Sequence, residues 1–151
     1  MYTTLLVLHS ILRWLVIVLG VLAVVRAFTR ARGWTTGHDA AGKWYGISLD
    51  IQVLIGLLLY GFFSPVVRAA FADPGAAMGD TVLRFFFLEH ILSMVIALAL
   101  AHVGRARIRR ATTDAAKFKA AAIFYTFSLL FVLIAIPWPF LRVARPLFPS
   151  L

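Results

Sequence analysis

The chain has 151 residues, 62% of them hydrophobic and 14% charged, against about 45–50% and about 25% in a soluble globular domain. A soluble fold of this size cannot bury so much apolar surface, so the composition excludes a soluble domain and a disordered chain, and points to a single domain in a bilayer. Fifteen Lys+Arg against six Asp+Glu give a net charge of +9, and there is no cysteine, which excludes disulfides, thiolate metal sites, c-type haem attachment and iron–sulfur clusters.

A bilayer core of about 30 Å requires roughly 20 apolar residues in a helix, and four segments meet this. The first spans about 5–28 and the second about 44–63. The third spans about 82–103 and the fourth about 120–141. Period-2 alternation is missing, so a membrane β-barrel is not expected. The first segment reads as a retained span rather than a cleaved signal peptide: nothing basic precedes it, it is long, and Arg13 interrupts it. Asp73-Pro74-Gly75 marks a turn in the second loop. Pro137-Trp138-Pro139 is expected to end the fourth helix. The predicted fold is an all-α four-helix transmembrane bundle, up-down-up-down.

The loops joining spans one to two and three to four share one side. They carry Arg26, Arg30, Arg32, Lys43, Arg105, Arg107, Arg109, Arg110, Lys117 and Lys119, ten of the fifteen basic residues. Lys/Arg-rich short loops stay in the cytoplasm, so both termini are expected outside. Trp44, Tyr60 and Trp138 fit interfacial anchors. The basic excess is thus a topology signal that also suits anionic lipid headgroups, not a nucleic-acid footprint.

Ionisable residues at membrane depth cost about 2.5–3.5 kcal/mol on insertion scales and call for a functional explanation. The first span holds His9 and Arg13, the second Asp50 and Gln52, the third Arg84, Glu89, His90 and His102, and the fourth none, which makes it a packing helix. At about 1.5 Å per residue, His9 lies roughly 6 Å below Leu5 and His90 roughly 12 Å below Val82, so the two share the outer half of the membrane. Asp50 and His102 belong to the inner half; His38 is placed in a loop.

Two neutral imidazoles from two helices can hold a haem iron axially. In this reading His9 and His90 are the metal ligands, and Arg13 or Arg84 meets the propionates. Phe85, Phe86, Phe87 and Leu12 line an apolar slot. Glu89 or Ser10 orients an imidazole, and Met94 is an alternative ligand. Two other readings stand beside it: the histidines serve as hydrogen-bonding glue between helices, or as a proton relay or substrate contact. An Arg13–Glu89 ion pair locking span one to span three is compatible with all three. His90 and His102 lie twelve residues apart, about 120° off a common helix face, so one chain is expected to hold at most one haem b with two histidine ligands.

The stretches LHSILRW, LDIQVLIGLLLYG, RFFFLEHILSMVIALALAHVGR and IPWPF resemble those of small four-helix bacterial membrane proteins labelled cytochrome b-like. The resemblance covers most of the chain. It implies a multi-pass protein of the bacterial inner membrane that holds b-type haem, with His9 and His90 as the carrying residues. A looser likeness, through LVLHS at Leu6–Ser10, runs to the four-helix membrane protoporphyrinogen oxidases. Where that family has a basic residue deep in its third helix, this chain has Glu89-His90.

The function expected is haem binding with electron transfer linked to quinol or a respiratory chain. Two alternatives are a small, homo-oligomeric transporter using Glu89 or Asp50, and a structural or assembly subunit of a larger membrane complex. No hydrolase triad or phosphate-binding glycine loop is present.

Overall fold

The computed structural model describes residues 1–30 and 33–148; Arg32, counted above among the loop cations, lies outside them. The described residues contain helices and no strand. Four helices are long and apolar enough to cross a membrane: α1 (Tyr2–Phe28), α2 (Thr36–Phe63), α5 (Thr81–Arg110) and α6 (Asp114–Ile134). Two short helices, α3 (Pro65–Ala72) and α4 (Pro74–Gly79), fill the connection between α2 and α5. The turn expected at Asp73-Pro74-Gly75 is a helix junction. Asp73 caps α4 by accepting from Ala76 N, and Pro74 takes the first helical position, where its missing N–H costs nothing.

The buried residues of α1 are Ser10, Arg13, Val16, Gly20, Ala23 and Ala27, and those of α5 after its first turns are Met94, Ala97, Ala101, Gly104 and Ile108. Both sets recur every three or four positions, the spacing of a single helix face. Most are small. Lipid offers no hydrophobic incentive for helices to associate, so close backbone approach and van der Waals contact hold a membrane bundle together. A Cβ on Gly20 would lie 2.9 Å from Tyr45 and Leu129 atoms, and one on Gly104 would lie 2.5 Å from Phe124 Cβ. Large apolar residues such as Leu54, Phe62, Leu92 and Ile134 face outward, which suits a lipid solvent.

The long helices form a ring in which α1 packs on α2 and α6, and α5 packs on α2 and α6. α1 and α5 therefore oppose each other across the bundle. One end of the interior is tied by a polar chain. The Tyr45 hydroxyl donates to Ser128 Oγ at 2.7 Å, and Ser128 donates to Ala97 O at 2.7 Å. His38, expected in a loop, lies in the first turn of α2. It forms a capping box with Thr35 and stacks on Trp34.

Two departures from α geometry matter for the site. Leu59–Phe63 and Phe85–Glu89 are π-turns, a form frequent at functional sites. The first ends α2 at Ser64-Pro65, where Ser64 N reaches back to Leu59 O. The second carries the Phe87 carbonyl, which accepts from the Tyr60 hydroxyl at 2.9 Å, tying the two turns together. Finally, α6 ends at Ile134, before the expected end of its span, because a residue ahead of proline is driven out of the α region. The following residues, 135–148, fold back against α1.

Candidate functional site

His9 on α1 and His90 on α5 meet across the interior, with ring centroids 6.2 Å apart and planes at 64°. His90 Nδ1–H donates to Ala135 O at 2.7 Å. That carbonyl belongs to the residue just past α6, where helix geometry leaves acceptors without an intrahelical partner. With Nδ1 as donor, the neutral ring keeps its lone pair on Nε2, the tautomer needed for a ligand. His9 is set by α2. Gln52 Nε2 donates to His9 O at 3.0 Å. A Cβ on Gly56 would lie 3.2 Å from His9 Cε1, so glycine is what allows α2 to pass this close to the imidazole. His9 Nδ1, Gln52 Oε1 and Arg13 Nε are buried without a hydrogen-bond partner among the described residues. Orphaned buried polar atoms are rare enough to require an explanation.

These groups line a cavity of about 190 Å³, many times the roughly 10–15 Å³ that a single water requires. Its wall is mainly apolar, with Phe86, Ile91, Met94 and Val132 prominent. Two cations also face it. Arg13, 9% exposed, donates from Nη2 to Leu147 O at 2.6 Å. Arg145 donates from Nη1 to the Tyr2 hydroxyl at 3.3 Å and lies 4.4 Å over the Phe86 ring. Phe148 stacks on Trp14 with centroids 5.5 Å apart. The segment after α6 is therefore a wall of the cavity, held to α1 by a charged hydrogen bond and an aromatic stack.

The structure brings His9, Arg13 and His90 together and leaves Arg84 and Glu89 outside the cavity lining. The expected Arg13–Glu89 pair does not form. Glu89 instead accepts from Arg84 Nε at 2.7 Å, and both side chains are substantially exposed. Residues five apart sit about 140° apart around a regular α-helix, so this pair depends on the π-turn between them. Neither Glu89 nor Ser10 orients His90; the Ala135 carbonyl does, so the fourth span is more than a packing helix. Phe86 and Met94 line the cavity, whereas Phe87 packs on Phe71. Asp50 and His102 find each other, with Nε2 donating to Oδ1 at 2.7 Å on a half-exposed face away from the cavity. Arg145 and Gly56 had no role in the sequence reading. Arg145 lies past the last apolar run, and nothing in its neighbours signals a chain reversal.

The residues present fit a haem. A metal–imidazole bond is about 2.0–2.1 Å, so His9 and His90 would have to lie within a short distance of each other to hold one haem iron between them. Their ring centroids are 6.2 Å apart in an edge-to-face arrangement, a spacing also usual for aromatic ring pairs. The described residues contain no cluster of three or more His, Asp or Glu able to hold a bare metal ion. A porphyrin brings four nitrogens of its own and asks the protein for only two. No family model, curated protein or solved structure matches the chain.

Proposed function

We propose that this multi-pass membrane protein binds one b-type haem between His9 and His90 and takes part in electron transfer linked to quinol or a respiratory chain. The observation that carries the reading is the facing pair of imidazoles 6.2 Å apart, one with its Nδ1 proton already committed to a backbone carbonyl. Bound haem supplies one-electron redox chemistry. The chain's own part is to hold and orient. Ala135 O fixes the His90 tautomer. Gly56 and Gln52 hold α2 against the His9 turn. Phe86, Ile91, Met94 and Val132 keep the interior apolar.

The reading includes an up-down-up-down bundle in the bacterial inner membrane with both termini outside, and the cytochrome b-like resemblance of the sequence points the same way. The transporter alternative loses its motivation, because Glu89 and Asp50 are paired on exposed faces and no carboxylate lines the cavity among the described residues. The protein purified in detergent from haem-replete cells is expected to be red, with a Soret band and one haem per chain by the pyridine haemochrome assay. His9→Ala and His90→Ala are each expected to lower haem content at least about ten-fold, on the 10- to 100-fold scale of altered metal sites. A colourless wild type that takes up no added haemin would refute the reading.

A further inference from the structure

Two guanidiniums, Arg13 and Arg145, face the same apolar cavity as the histidines. Neither forms an ion pair with any described carboxylate: the only described pairs are Arg84–Glu89 and Asp50–His102. Arg13 is nine-tenths buried, and its Nε has no partner. Among the described residues, Arg13 donates to a neutral carbonyl, Leu147 O, and Arg145 meets the neutral Tyr2 hydroxyl and the face of Phe86. A guanidinium stays charged at any physiological pH. Arg13 is buried and Arg145 partly so, and a guanidinium buried in a membrane interior without a counter-charge is costly. The arrangement is relieved when a ligand brings the anions. Guanidinium suits carboxylate through forked, charge-assisted hydrogen bonds.

Resting on the haem reading above, we infer that the cavity selects its ligand by two acid groups, one taken by Arg13 and one by Arg145. The ligand class is an apolar, planar dicarboxylate rather than a neutral lipophile. Arg13 also holds Leu147, and Arg145 is part of the same returning segment. The acid end of the ligand therefore sits against the wall formed by residues 135–148, and binding joins that wall to α1.

The direct test compares haemin with its dimethyl ester, which keeps iron and ring but lacks both charges. Each is titrated into the purified apoprotein in neutral detergent and followed by absorbance and tryptophan quenching. The diester is expected to bind at least about ten-fold more weakly than haemin, the loss of one charge-assisted contact corresponding to a factor of this size or more. Arg145→Gln is expected to weaken haemin at least about ten-fold and leave the diester unchanged, with Arg145→Lys intermediate. Equal affinity for haemin and diester in the wild type would overturn the dicarboxylate inference and leave the histidine site intact. Binding of neither would count against the haem reading itself. The wild-type comparison needs no variant, so misfolding of an arginine variant does not compromise it.

Discussion

His90 shows how a single residue is set by a distant one. Its Nδ1 proton is held by the carbonyl of Ala135, 45 positions along the chain, so its basic nitrogen is fixed by where α6 stops. No side-chain change at position 135 removes that carbonyl. The residue with leverage over His9 is Gly56. Gly56→Leu would drive bulk into the His9 ring, since even a Cβ would lie 3.2 Å from Cε1. Haem content is expected to fall several-fold or more in Gly56→Leu and less in Gly56→Ala, with circular dichroism unchanged, because the glycine lies on a helix already held by Gln52 and Tyr45. At the other end of the interior, Tyr45→Phe removes the donor to Ser128, which keeps its bond to Ala97 O. The expected loss is about 0.5–1.5 kcal/mol in a detergent denaturation assay, the scale of an interhelical hydrogen bond in a membrane bundle. His9 and His90 were legible as a pair from the depth each was expected to have in its span, and the structure brings their rings together. Arg145 was not. It lies beyond the last apolar run, and only the return of residues 135–148 onto α1 gives it a place in the cavity.

Among the elements, the four long helices could be read from apolar length, and their packing faces from the small residues recurring every three or four positions. The π-turns could not. Each inserts one residue into a turn, which sequence periodicity over so short a stretch does not register. The second π-turn changes the chemistry: it brings Arg84 to Glu89 at 2.7 Å and so removes Glu89 as a partner for Arg13. At Gly104, where α5 meets α6, a Cβ would lie 2.5 Å from Phe124 Cβ. Gly104→Val is expected to force α5 and α6 apart, at a cost of about 1–3 kcal/mol by the usual scale of overpacking. The loss is measurable as a lower midpoint in thermal unfolding.

For the whole molecule, the polar interior divides in two. A tied end is built on Tyr45, Ser128 and the backbone of Ala97. A hollow end is built on His9, His90 and two arginines that lack a described counter-charge. From the distribution of loop cations we propose that the tied end faces the cytoplasm and the hollow end the outside. Because the chain has no cysteine, introduced cysteines report without background. Gly75→Cys is expected to react with an impermeant maleimide on intact spheroplasts, and Thr112→Cys only after permeabilisation; the reverse pattern would invert the orientation.

In the proposed function His9 and His90 both ligate one haem iron. The sharpest measurement is the spin state of the bound haem in wild type and in His90→Gly, by electron paramagnetic resonance and visible absorption, with and without added imidazole. Wild type should be low-spin and unaffected by imidazole. His90→Gly should be high-spin or haem-depleted, and imidazole occupying the vacated space should restore the low-spin spectrum. A wild type that is already high-spin, or a His90→Gly spectrum identical to it, would contradict the account.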